Sequence, residues 1–298
     1  VVVDQLDAHA RWTMAAGGRI DVALDDVRLS NADVEGTASA RWHTADPATS
    51  SAKSRFPGVL DLTARLTRAD ATRVHRYLPL SVPADVRRYL REATLAGSSP
   101  RVDFRIRGDL WDAPFARGAA SSGEFRIAAQ LQGIDFDYVP AYLREAGEPG
   151  WPALKGMNGQ FVYDRDTLGI SGLRGGAVAL PGLRLSQGSF AVARLMTDPT
   201  LEVASRIDGP ADEILAIVRD SPLNGMTSGA LAEASASGTA SGQFELNLPL
   251  ERMHATTVKG TVQLAGNDIH VSPAAPVLTQ ASGQVAFSEQ GFAITGAR

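Results

Sequence analysis

Cysteine is absent from the 298 residues, which excludes a disulfide scaffold, thiolate-bound zinc and thiol catalysis. No apolar run approaches the ~18 residues a helix needs to cross a bilayer. Neither sign of charge dominates: 29 Lys and Arg stand against 33 Asp and Glu, with no basic stripe, so nucleic acid is not an expected partner. The five histidines, at 9, 43, 75, 254 and 270, form no i,i+4 pair and read as surface or turn residues, so no metal is expected. Gly238-Thr-Ala-Ser-Gly242 is not the G-x-S-x-G elbow of a serine hydrolase. Leu173-Arg-Gly-Gly-Ala177 lacks both the dinucleotide fingerprint and the phosphate-loop lysine, so its glycines are expected in a turn or bulge. The paired acids Asp25 and Asp26, and Asp135 and Asp137, offer no acid-base site; the latter two are expected exposed on the polar face of one strand. No cofactor is expected. The chain opens Val1-Val2-Val3 without an initiator methionine, in what reads as mid-strand, so it is expected to be a piece of a longer polypeptide with any export signal or membrane anchor outside it.

What the sequence has in abundance is two-residue alternation. Val102, Phe104 and Ile106 face one way while Arg101, Asp103, Arg105 and Arg107 face the other. Leu60, Leu62, Ala64 and Leu66 repeat the pattern, as do Phe125, Ile127, Ala129 and Leu131; Ile20, Val22 and Leu24; and Phe244, Leu246, Leu248 and Leu250. Buried parallel strands would be apolar throughout, so the expected fold class is mainly β, a long curled antiparallel sheet with one solvated face.

A 21-residue block also recurs 124 residues later: Pro152–Gly172 lies over Pro276–Gly296, sharing Pro, Leu, Gly, Gln, Ile and Gly in order. Each copy reads as strand, tight reversal (Asp164 to Thr167, or Ser288 to Gly291) and returning strand. Upstream, Gln130-Leu-Gln-Gly133 and Gln263-Leu-Ala-Gly266 are 133 apart, so the spacing drifts by an insertion. Such repetition is the mark of a sheet that grows by modules.

Two inserts break the alternation. In 70–94, Asp70 is expected to cap a short helix stopping near Leu78, and a second helix follows with Ser81 as cap, Pro83 in its first turn and Val86, Tyr89, Leu90 and Ala93 on one face. In 208–220 a third helix is expected with Asp208 as cap, Pro210 in its first turn and Ile214, Leu215, Ile217 and Val218 buried. These helices are too short to form a second layer and read as end-caps of a curled sheet. Pro140 to Gly147 offers one more helical turn, and the Ala/Ser/Gly/Thr stretch from Thr227 to Gly242 is expected to begin as a loop. The expected organisation is 1–56 as added strands, 57–207 as a module holding the first insert, and 208–298 as a second module opened by the other.

From Pro57 onward the sequence resembles the YhdP family, large AsmA-like envelope proteins of Gram-negative bacteria related to TamB. The resemblance rests on ordered short motifs: Ala69-Asp70, Arg76-Tyr-Leu-Pro-Leu80, Val82-Pro83, Arg88-Tyr-Leu90, Gly108-Asp-Leu-Trp-Asp-Ala-Pro-Phe115, Trp151-Pro152, Ser221-Pro-Leu223, Leu248-Pro-Leu250, Lys259-Gly260 and Gly283-Gln-Val-Ala-Phe287. Tyr89 stands where the family shows tryptophan, and Ala113 where it shows an aromatic. The resemblance implies a non-enzymatic, inner-membrane-anchored periplasmic protein whose apolar groove conducts phospholipids toward the outer membrane. The groove would be lined by Leu60, Leu62, Leu66, Val102, Phe104, Ile106, Phe125, Ile127, Leu131, Phe161, Tyr163, Phe244, Leu246, Leu248, Val262, Leu264, Val285 and Phe287. Alternation alone leaves open a structural or protein-docking β domain, such as a closed sandwich or spacer. An outer-membrane barrel is a third reading, disfavoured by the absence of aromatic girdles.

Overall fold

The computed structural model describes residues 2–115, 123–147, 149–226, 229, 231–252, 255–272, 275–288 and 291–296. The alternating segments become β1 (Gln5–Met14), β2 (Ile20–Ser30), β3 (Val34–His43) and β4 (Val59–Asp70), then β5 (Thr94–Ser99), β6 (Val102–Asp109) and β7 (Glu124–Phe136). They continue as β8 (Leu154–Asp164), β9 (Thr167–Ala177), β10 (Arg184–Ala193), β11 (Thr200–Pro210), β12 (Ser235–Ala236), β13 (Thr239–Pro249), β14 (Thr257–His270), β15 (Leu278–Ser288) and β16 (Gly291–Thr295). All belong to one antiparallel meander in which each strand pairs with its sequence neighbours. β5 and β6 are two halves of one interrupted strand, since both pair with β4 and with β7. β12 and β13 stand in the same relation, both pairing with β14. A sandwich would divide its strands between two sheets, and a barrel would join β1 to β16. Among the described residues there is one sheet and no such pairing.

The sequence repeat is also a repeat of elements. A strand, a helical insert, a broken strand and three further strands run from β4 to β9, and the same series runs from β11 to β16. The two copies share their irregularities. Gly133 and Gly266 have φ of 60° and 81° at β-bulges in β7 and β14, where the register shifts. The neighbouring strands hold left-handed residues at Gly156 (φ 62°) and Gln280 (φ 53°), 124 positions apart. The hydrogen bonds match as well: Gly156 N donates to Asp135 Oδ1 at 2.7 Å and Gln280 N to Asp268 Oδ1 at 2.8 Å. Gly133 N donates to Asn158 Oδ1 at 3.3 Å and Gly266 N to Ser282 Oγ at 3.1 Å. Each carboxylate satisfies an N–H that the bulge has removed from the ladder. Further left-handed residues at Asp26 in β2 and Gln187 in β10 accompany register shifts, so bulges recur across the sheet and bend its strands.

Asp135 is therefore part-buried and structural rather than an exposed acid, and Asp137 lies beyond β7, half-buried and ion-paired with Arg144. Gly175 and Gly176 lie inside β9; the bulge is in the facing β8, between Lys155 and Asn158. A side chain at Gly175 would collide with Met157.

The helical inserts form with shifted starts. Asp70 accepts from Thr72 N as expected, but the helix it caps, Ala71–Arg76, is 3-10. α1 (Ala84–Ala93) has Pro83, not Ser81, at its N-cap position. α2 (Ala211–Arg219) starts after Pro210, because Asp208 is still in β11, paired with Ser241; a separate turn, α3 (Leu223–Met226), follows. The expected turn after Pro140 is the 3-10 helix Ala141–Leu143. The small-residue stretch yields β12 and the start of β13, while its residues 227, 228 and 230, like His254 and residues 289 and 290 of the second reversal, lie outside the described residues. Direction alternates along the meander, so α1 after β4 and α2 after β11 emerge at the same end of the sheet. The fully buried core is concentrated there: Ala177, Leu180, Leu183, Ile207 and Ala216 pack together, with Leu185, Ile214, Ile217 and Phe244 against them.

Candidate functional site

All eighteen residues expected to line the groove fall on one face of the sheet. Register shows this directly: Leu62 pairs with Ile106 and Ile106 with Phe125, while Phe104 pairs with Ile127 and Ile127 with Tyr163. In the second module, Phe244 and Leu246 lie opposite Gly260 and Val258, Val262 opposite Val285, and Gly260 opposite Phe287. One row crosses nearly the whole sheet without a polar side chain: Leu6, Leu29, Gly36, Leu66, Val102, Ala129, Phe161, Ile170, Phe190, Val203, Leu246 and Val258. Among the described strand residues this face carries no charge, and its hydroxyls besides the Tyr163 phenol, those of Thr94, Ser99 and Ser205, are all buried.

The face is sheltered without being sealed. Of the eighteen, Val102 alone is fully buried, at 8% exposure; the other seventeen keep partial access to solvent. Large side chains at the centre of a closed core would be almost entirely covered. The sheet's first strand leaves its apolar side chains most open, Trp12 at 71% and Met14 at 76%. At the helical end the face is roofed: α2 sets Ile214 and Ile217 over Ile207 and Phe244, and α1 sets Tyr89 edge-on to Phe136 with centroids 6.1 Å apart. The Tyr89 hydroxyl donates to Tyr138 O at 3.1 Å. Phe125 and Tyr163 meet edge-on at 5.5 Å, and burial raises the Tyr163 phenol above its ordinary pKa.

The opposite face holds the charges, arranged mostly in cross-strand pairs. Asp25 receives Arg41 at 2.6 Å and Arg11 at 2.9 Å, Asp103 receives Arg101 and Arg65, each at 2.6 Å, and Arg105 bonds Asp61. Arg126 meets Asp164 at 3.0 Å and Lys259 meets Glu245 at 2.9 Å. These guanidinium bonds hold the carboxyls of Asp25, Asp61 and Asp103 below the usual range. A 670 Å³ depression lined by Arg65, Asp103, Arg105 and Arg126 lies on this face too, but these four charges are already paired and the strands beneath are those of the apolar row. Among the described residues no group of side chains is placed to hold a metal, and no helix is long and apolar enough to cross a membrane.

Several face residues escaped the sequence reading, among them Leu168, Ile170, Phe190, Val192, Leu201 and Val203. In β10 a bulge is the reason. Leu185 and Phe190 share a face at an odd spacing because β10 shifts register between Ser186 and Ser189. Two short alternating runs of opposite parity are the signal that marks such a strand.

No curated protein and no solved structure matches the chain. A family model, described as YhdP protein, matches residues 1–297, so the likeness carried by motifs from Pro57 onward extends through the first three strands as well. The chain belongs to the YhdP family, cell-envelope proteins of the AsmA-like kind.

Proposed function

We propose that this chain is a non-enzymatic segment of a phospholipid conduit, whose apolar face carries acyl chains across the periplasm between the inner and outer membranes. The observation that supports it is an uncharged, partly open face crossing the sheet in register. Fourteen strands on the pairing path, at ~4.8 Å each, make that face about 60 Å long, twice the hydrocarbon thickness of a bilayer. Acyl chains would cover it at roughly 0.8 kcal/mol per buried CH₂. Alkyl chains present only width and greasiness to recognise, so no single residue carries the function. Head groups would remain at the solvated margins. The inner-membrane anchor belongs to other parts of such a protein.

Lipid extraction and mass spectrometry of the purified chain test this. Phospholipid is expected to co-purify, and Phe104→Asp or Leu246→Asp to abolish it in protein that stays folded. A photo-crosslinker at Ile106 is expected to form lipid adducts, whereas one at Arg105, on the opposite face, forms none. If no lipid co-purifies and the crosslinker at Ile106 reacts only with protein, the face docks polypeptide and the conduit reading fails.

A further inference from the structure

On the polar face most cations of the strands are ion-paired; Arg28 in β2 and the cations of β8, β9 and β10 are the exceptions among the described residues. Lys155, Arg174 and Arg184 rim a depression of 560 Å³ near the helical end, and among the described residues none of the three has an acid within ion-pair distance. Carboxylates on the adjoining elements are engaged elsewhere: Asp135 with Gly156 N, Asp208, which lies opposite Arg184 in register, with Arg206, and Glu213 with the N–H groups of Gly182 and Leu183. Arg184 is anchored through one nitrogen, Nη1 donating to Pro181 O at 2.7 Å and Leu183 O at 2.9 Å, so the rest of its fork points away from that anchor. Gly156 and Gly176 leave backbone at the floor, and a Cβ at Gly156 would meet only open space.

The internal repeat supplies a control. The second module keeps the same bulge, with left-handed Gln280 bonded to Asp268, but has Thr279 where the first has Lys155. The backbone device therefore does not need that cation. Three clustered charges without an ion-pair partner repel one another, and Lys155, which the bulge does not require, adds to that repulsion at a cost in stability unless an anion neutralises the group. We infer that this depression binds a phosphate-class oxyanion, held by Lys155, Arg174 and the pre-oriented fork of Arg184. The volume admits a group larger than phosphate itself, so the shared chemistry covers free phosphate and a phosphate-bearing lipid head group. The site is on the face opposite the acyl-chain surface and does not depend on the conduit reading.

The test is calorimetric titration of the chain with inorganic phosphate, alongside flotation with phosphatidylcholine vesicles with and without phosphatidic acid. The variants are Lys155→Gln with Arg174→Gln, and Lys259→Gln as a cation on the same face already paired with an acid. Expected is binding that weakens about tenfold or more in the double variant and is unchanged in Lys259→Gln. Loss of phosphate binding identifies a site for the free ion; loss confined to phosphatidic acid vesicles identifies a head-group site. Both outcomes support the inference. Absence of binding in both arms, or an equal effect of Lys259→Gln, overturns it. Thermal midpoints matching the parent chain confirm that the double variant is folded, as expected for exposed side chains outside the core.

Discussion

Gln280 occupies a left-handed backbone position that its repeat counterpart fills with glycine. An L-residue there costs roughly 1–2 kcal/mol, and replacing it with glycine returns part of that gain as unfolded-chain entropy. Gln280→Gly is therefore expected to stabilise the chain by about 0.5–1 kcal/mol, read as a higher urea midpoint. Gly156→Ala is expected to lower the midpoint by a similar amount, although nothing crowds a Cβ there, because the backbone alone carries the penalty. An unchanged midpoint in both variants would show that these residues relax out of the left-handed region. At this scale the sequence was partly legible. Gln130-Leu-Gln-Gly133 and Gln263-Leu-Ala-Gly266 were visible as a repeat, but that their glycines were bulges, and that Asp135 and Asp268 served them, depended on contacts with the next strand.

Elements formed where alternation was clean and drifted where a strand continued into an insert. Asp208 satisfies every local requirement of a helix cap, yet β11 runs on to Pro210 because β13 supplies a ladder partner at Ser241. Tertiary pairing outweighs the local preference, and one sequence does not reveal the partner. The same ladder predicts an acid response. The carboxyls of Asp25 and Asp61 titrate below their unfolded range because guanidinium groups on adjacent strands bond them, and that of Asp103 because Arg101, two residues before it, and Arg65 on the adjacent strand do. A depressed folded pKa gives stability that is present above the unfolded value of about 3.9 and is lost as pH falls through the lower folded value. The urea midpoint is therefore expected to hold from neutral pH to about 5 and to fall below about 4, with a smaller fall in Arg41→Gln and Arg65→Gln variants. These pairs are exposed, so added salt is expected to blunt the effect. An acid limb identical in the variants would place the titrating groups outside the ladder.

For the molecule as a whole, surface area is the informative quantity. A compact protein of 31.4 kDa exposes about 12,000 Å², whereas this chain exposes 17,350 Å². The excess follows from a single sheet that stacks no second layer on its apolar face except under two short helices at one end. Alternation in the sequence could not distinguish this from a sandwich, because both need one apolar face per strand; the meander order and the partial exposure of Phe104, Phe161 and Leu246 make the distinction. Small-angle scattering should then give a radius of gyration clearly above the about 19 Å expected of a compact 298-residue domain. Phospholipid on the apolar face should leave the long dimension unchanged, since that is set by strand count, while protecting Phe104 and Leu246 from solvent. A compact particle would mean that the sheet folds over on itself in solution, the apolar row becoming a dry core with no room for acyl chains. An elongated particle that stays elongated after delipidation would show instead that the strands and their bulges hold the face open without help from its cargo.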